Sequence, residues 1–184
     1  MKKVGVLGCT GEIGKRIVEL LQKNYSVKAG FHKVNPDKMW SSVEYSQFDI
    51  HDRKRLTFFI QECYIVINCA GASFIDGMYV AQICSDTGAI YIDPFGANYL
   101  EQEIRKANVP GTFILSCGCF PGFTGLAMKY LCDSYESVNS ISGICIDRQI
   151  PGVNGIIDFI ISGLKGFGET SYSSLANTVK PRLY

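Results

Sequence analysis

The sequence predicts an α/β domain built on a doubly wound parallel sheet. Three observations carry that expectation. Short apolar segments alternate with amphipathic ones through roughly the first two-thirds of the chain, the rhythm of β-α-β units. The first apolar segment runs straight into a glycine turn, Gly8-Cys9-Thr10-Gly11-Glu12-Ile13-Gly14. Further on, Tyr64-Ile65-Val66-Ile67 is the dense β-branched run typical of a strand buried on both faces of a parallel sheet.

Taken in order, Val4-Gly5-Val6-Leu7 reads as a short buried strand. Ile13, Ile17, Leu20 and Leu21 then recur at helical spacing, with Asn24 as the stop. Residues 26–31 read as a second strand, 34–42 as a loop containing Pro36, and 43–48 as a third strand. Asp52 can cap a helix that carries Leu56, Phe59 and Ile60. The β-branched fourth strand ends in Asn68-Cys69-Ala70-Gly71, and a helix over 74–86 follows, with Gly88 near its end. Residues 89–92 form a strand, 97–107 a helix and 112–116 another strand. Beyond Pro121-Gly122 the pattern weakens: a helix over 126–130, a strand over 138–146, a helix over 156–164, then a polar, irregular tail.

Composition narrows the class. With 47% hydrophobic residues in 184, the chain can core one domain. A formal charge of +1 and scattered basic residues point to neither nucleic acid nor a membrane surface. No stretch reads as a signal peptide or a membrane span. The eight cysteines, among them Cys69, Cys84 and Cys145, lie mostly within apolar patterns. That fits buried thiols in a reducing cytoplasm. Cys117-x-Cys119 lacks the second ligand pair of a zinc site, so no metal is expected.

The glycine turn predicts a dinucleotide cradle. Glycines allow a tight turn and close ligand approach, and a helix N-terminus offers free N–H groups and positive dipole to a pyrophosphate. Gly8, Thr10, Gly11, Glu12, Ile13 and Gly14 are the candidates for that contact. Gly14 suits helix-to-sheet packing in any case, and the Thr10 hydroxyl could cap the helix or bond a phosphate. The second strand ends in Gly30-Phe31-His32-Lys33, with no acid before Asp37. NAD enzymes place a carboxylate there for the ribose hydroxyl, whereas a basic group accommodates the 2′-phosphate of NADP. His32 and Lys33 therefore favour NADP over NAD, and Phe31 is placed to stack on adenine. Asp49 and Ile50, at the end of the third strand, are candidates for the adenine edge, with helix capping the alternative for Asp49. Asn68, Cys69, Ala70 and Gly71 end the fourth strand, where small residues let the nicotinamide ribose lie against the backbone.

These blocks resemble the saccharopine dehydrogenase-like reductases, in particular their N-terminal NADP-binding domain. The resemblance rests on residues 4–14 and on Val66-Ile67-Asn68-Cys69-Ala70-Gly71. It continues in Cys84-Ser85-Asp86-Thr87-Gly88-Ala89-Ile90-Tyr91-Ile92-Asp93 and in Cys117-Gly118-Cys119-Phe120-Pro121-Gly122. It implies a Rossmann-type NAD(P)-binding domain over 1–125. Residues 126–184 would be a C-terminal extension that begins a missing or truncated substrate and dimerisation domain. It further implies an NADPH-dependent oxidoreductase working on a carbon–nitrogen bond beside a carboxylate, with an amino or keto acid as small-molecule substrate and a homodimer as assembly.

Asp93, at the carboxyl edge of the sheet, is then the first candidate for a catalytic or substrate-orienting carboxylate, and Cys119 is a second candidate beside the nicotinamide. Pro121-Gly122 would start a helix facing the cofactor. Two departures tell against saccharopine itself as substrate: Phe120 stands where those reductases have an Asp before the Pro-Gly pair, and Asp93 is followed by Pro94-Phe95-Gly96. The short C-terminal part leaves two alternatives, an excised cofactor domain or a non-catalytic NADP-reading sensor. A short-chain dehydrogenase is disfavoured because no Tyr-x-x-x-Lys pair follows the fifth strand.

Overall fold

A computed structural model describes residues 3–96, 98–119 and 122–141, together with residues 156 and 160. In chain order the elements are β1 (Lys3–Leu7), α1 (Glu12–Leu21), β2 (Val27–Phe31), β3 (Val43–Gln47), α2 (Arg53–Gln61), β4 (Cys63–Asn68), α3 (Ser73–Thr87), β5 (Ile90–Ile92), α4 (Asn98–Lys106), β6 (Phe113–Ile114) and α5 (Phe123–Cys132). The strands form one sheet in the order β3-β2-β1-β4-β5-β6, and every neighbouring pair is parallel. This is the doubly wound Rossmann arrangement that the alternation predicts. Its strand order reverses between β1 and β4, where a crevice opens at the carboxyl edge.

Local chemistry sets the boundaries. The Asp52 side chain accepts from the Arg55 amide at 3.1 Å and caps α2 as expected. Gly88, with φ +73°, closes α3 in the left-handed conformation. The strand expected over 112–116 shrinks to β6 because Ser116 turns to φ +57°. Residues 138–141, the start of another expected strand, have no strand structure, and the rest of that segment lies outside the described residues. Of the helix expected over 156–164, residues 156 and 160 are helical. The tail from 161 onward is not among the described residues. The boundary expected at residue 125 falls within α5, which buries none of its side chains.

Each face of the sheet has its own core. On one face Val18 of α1 packs with Val6, Val27, Ala29, Phe31 and Val43. On the other, α2, α3 and α4 bring Leu56, Phe59, Ile60, Val80, Ile83 and Leu100 onto Leu7, Val66 and Tyr91. Each such side chain contributes about 1.5–3 kcal/mol on burial. The connection from β2 to β3 is unusual for a parallel pair. It runs from His32 to Ser42 without a helix, as the loop reading expects. Trp40 and Tyr45 pack against the α1-side core in place of a helix there. Lys28, in the middle of β2, is 2% exposed and ion-paired with Glu62 at 3.1 Å and Glu44 at 3.5 Å.

Candidate dinucleotide site

The glycine turn sits at the centre of the carboxyl edge, between the ends of β2 and β4. The Cys9 amide donates to the Gly30 carbonyl and the Cys69 amide to the Leu7 carbonyl, each at 3.0 Å. The turn is therefore held by both neighbouring strands. Gly8 has φ +72°, and a β-carbon on it would stand 2.4 Å from the Cys69 carbonyl oxygen. A β-carbon on Gly14 would stand 2.2 Å from the Gly8 carbonyl oxygen. Gly14 is thus the point where α1 meets the strand end, the packing role expected of it. Gly11 differs: it is exposed, and a β-carbon there meets only the Gly8 oxygen at 3.4 Å. Its openness belongs to the mouth of the cradle.

Gly11 is the N-cap of α1, and no side chain caps the helix. Thr10 is therefore not the cap, which leaves its hydroxyl for the phosphate alternative. Among the described residues, no side chain accepts from the opening amides of α1, Glu12 to Gly14. Such a helix end is matched to an anion. Glu12 pairs with Lys15, and Ile13 is exposed. The residues present therefore fit a pyrophosphate: a backbone that excludes side chains, and uncapped donors aimed along the helix axis.

At the end of β2, Phe31 belongs to the α1-side core at 9% exposure, so its ring is committed to that core rather than free to stack on adenine. His32 and Lys33 are exposed where β2 ends. The His32 ring faces Asp49, with Nε2 3.5 Å from the carboxylate. Asp49 also accepts from the His51 amide at 2.9 Å and lies 3.0 Å from the His51 ring. The other ring nitrogen of His51 is 3.0 Å from Asp76, in the first turn of α3. These bonds hold the Asp49 carboxyl below its usual range, with the His51 amide the largest cause, and hold the His51 imidazole above its own, with the bond to Asp49 the largest. Ile50 is half-buried against the α2–α4 core.

Asp76 in turn lies against the backbone of Gly71, where a β-carbon would stand 2.3 Å from its Oδ2. Gly71 has φ +67°. His51 and Asp76 thus adjoin the candidate residues Asp49 and Gly71, and the sequence reading passed over both. Asp76 sits five residues beyond the Asn68-Cys69-Ala70-Gly71 block, on a helix whose first turn must return to the crevice. That placement was the available signal.

At the ends of β4 and β5 the strands are tied by a buried polar network. Asp93 is fully enclosed. Its carboxylate accepts from the Ser73 hydroxyl at 2.7 Å, the Tyr91 hydroxyl at 2.6 Å and the Phe95 amide at 2.9 Å. Asn68 donates to the Tyr91 hydroxyl at 3.0 Å and accepts from the Ala70 amide at 3.2 Å. Burial pushes the Asp93 carboxyl up, and these hydrogen bonds oppose the shift. The network joins the ends of β4 and β5 to the start of α3.

Cys69 is pushed up to about 12 by burial, which leaves an inert thiol. Cys117 donates from sulfur to the Asp93 carbonyl at 3.2 Å, and Cys119 is exposed. Gly122, with φ +130°, starts α5 as expected, while Phe120 and Pro121 lie outside the described residues. No helix among the described residues is long and apolar enough to cross a membrane.

Comparison with known proteins finds similar folds and a family. Saccharopine dehydrogenase (L-Glu forming) from Saccharomyces cerevisiae superposes with a TM-score of 0.58 at 14% identity, over 73% of this chain and 31% of that one. Uronate dehydrogenase from Agrobacterium tumefaciens, solved with NAD, gives a TM-score of 0.44 at 19% identity, over 50% and 40%. A short-chain dehydrogenase/reductase from Veillonella parvula gives 0.44 at 15%, over 50% and 46%. The chain thus spans less than half the length of each of these proteins. No curated protein sequence matches it. The family described as "Saccharopine dehydrogenase NADP binding domain" matches residues 4–110, more than half of the sequence and every strand from β1 to β5. The chain therefore belongs to the saccharopine dehydrogenase NADP-binding domain family.

Proposed function

We propose that the domain binds NADP(H) in preference to NAD(H), laid across the carboxyl edge of the sheet, and serves an oxidoreductase that acts on a carbon–nitrogen bond next to a carboxylate. The observation that carries the reading is the uncapped start of α1 behind Gly8 and Gly14, at the reversal of strand order. In this reading the amides of residues 12–14 and the Thr10 hydroxyl hold the pyrophosphate. Asp49 takes the adenine amino group, and Asn68 to Gly71 support the nicotinamide ribose. The bound cofactor supplies the hydride. Fluorescence titration with NADPH and NADH tests the claim: tighter NADPH binding is expected, and binding of neither, or a preference for NADH, overturns it.

Within that reading Asp93 is a positioning residue. Its carboxylate has no exposed surface, and all its hydrogen bonds run to groups that fix the ends of β4 and β5. Exposed Cys119 is the group placed to touch a substrate, an amino or keto acid. A cytoplasmic homodimer belongs to the same proposal.

The sealed Asp93 also supports the second reading, a non-catalytic domain that reports the NADP state to a partner. Imine reduction with an amino acid and an aldehyde separates the two: turnover eliminates the sensor, and cofactor binding without turnover on any pair supports it.

A further inference from the structure

Beside the cradle, on the α1 side, a cavity of about 290 Å³ opens between α1 and the helix-free connection from β2 to β3. Thr10 lines it, so it is continuous with the glycine turn. Lys15 and Arg16 enter from α1, and Lys38 and Trp40 from the connection. The cavity exists because Trp40 and Tyr45 cover the β2–β3 surface that a crossover helix would otherwise fill.

The charges in it are not equivalent. Arg16 is paired with Glu19 at 2.9 Å, and Lys15 with Glu12. Asp37 and Glu19 also line the wall. Lys38 instead lies over the Trp40 ring, 5.1 Å from its centre, and has no carboxylate partner among the described residues. The Trp40 amide donates to the Tyr45 hydroxyl at 3.3 Å, which anchors the residue whose ring carries the lysine. A cation held by an aromatic face, rather than by a carboxylate, keeps its charge available to an incoming anion. His32, by contrast, faces Asp49 and does not line the cavity.

We propose that this cavity receives the 2′-phosphate of the dinucleotide, with Lys38 as the residue that discriminates NADP from NAD and Trp40 as its support. The inference rests on the dinucleotide reading above and goes further, moving discrimination from His32 and Lys33 into the α1-side cavity. The geometry favours it: with the pyrophosphate on α1, the adenosine ribose lies at the end of β2, and the residues that follow β2 wall this cavity. An exposed phosphomonoester brings close to two negative charges, which suits a cation without a carboxylate of its own.

The test is titration of NADPH and NADH against the wild-type chain and the variants Lys38→Ala, Trp40→Leu and Lys33→Ala, with circular dichroism to confirm folding. Lys38→Ala should weaken NADPH by about tenfold, as loss of one charge-assisted contact does, and leave NADH within about twofold. Trp40→Leu should weaken NADPH by less, in the same direction, and Lys33→Ala should leave the ratio unchanged. Equal losses for both cofactors in Lys38→Ala, or discrimination that moves with Lys33 instead, overturns the inference while the dinucleotide reading stands. A wild-type chain that binds neither cofactor overturns both.

Discussion

A β-carbon on Gly8 would stand 2.4 Å from the carbonyl oxygen of Cys69, so the turn after β1 and the exit from β4 are in backbone contact. Only glycine permits that approach, and its φ of +72° independently disfavours any other residue. Gly8→Ala should destabilise the fold. The left-handed backbone alone costs roughly 1–2 kcal/mol, before the contact with Cys69 is relieved. Gly11→Ala should behave in the opposite way. Its φ of −74° and its open surroundings tolerate a methyl group, but that methyl stands in the mouth of the cradle. Urea denaturation and NADPH titration of both variants check the contrast. Gly11→Ala should keep the wild-type midpoint and lose affinity, whereas Gly8→Ala should lose the midpoint first.

The Tyr91–Asp93 pair makes a second prediction. Tyr91→Phe keeps the ring among its core neighbours and removes only the hydroxyl, which takes one hydrogen bond from the Asp93 carboxylate and one from the Asn68 amide. A buried polar group stripped of its partner costs about 1–3 kcal/mol. The loss should appear as a lower urea midpoint with an unchanged m-value. A midpoint equal to that of the wild type would mean that the network contributes nothing to holding β4 and β5 together.

The sheet and the cradle were legible in the sequence because both rest on local signals. Alternating apolar segments fix the strands, and glycines mark where backbone meets backbone. The helix-free loop after β2 was also readable, from Pro36 and the lack of periodicity. The partnerships across the edge were not. His51 and Asp76 are 25 residues apart and meet only when α2 and α3 pack on the same face. Phe31 looked like a ring at a strand end, but its register points it into the α1-side core. Asp93 was singled out because it ends a strand at the carboxyl edge, and nothing local in the sequence shows that Ser73 and Tyr91 pack over it. Lys38 and Trp40 carried no motif at all, because a cavity is made by what a loop fails to cover.

The His51 bridge predicts a defined pH dependence. Bonds to Asp49 and Asp76 raise the imidazole above its ordinary 6.5. The folded chain therefore holds this proton more tightly than the unfolded chain. The stabilisation is fully present below 6.5 and is lost as the pH rises through the folded value. For Asp49 the sign is reversed: its contribution is present above the ordinary 3.8 and is lost as the pH falls through the depressed folded value. The charged form of the bridge is thus present in mildly acidic solution and is lost as the pH rises. NMR titration of the ring protons should show His51 above its ordinary value, and Asp76→Asn should bring it down. Because the group is exposed, the accompanying change in stability should be small.

Lys28 gives the last prediction, and it separates a structural ion pair from a merely convenient one. Its ammonium is buried in the middle of β2, over the rings of Phe58 and Phe59, at 5.2 and 5.1 Å from their centres. Glu62 supplies the nearer carboxylate at 3.1 Å and also pairs with Lys3, while Glu44 lies farther from Lys28. Glu62 is held below the usual carboxylate range, first by Lys28 and then by Lys3, so its contribution is lost as acid protonates it. Removing one partner leaves a buried charge, whereas replacing the cation by an apolar side chain of similar length removes the need for pairing. Glu62→Gln should therefore cost about 1–3 kcal/mol, with Glu44 compensating in part. Lys28→Met should stay within about 1 kcal/mol of the wild type, since the stem already packs on two aromatic rings. Urea denaturation at neutral pH checks both. If Lys28→Met proves the more damaging change, the cation itself stabilises the strand, and the carboxylates around it are secondary.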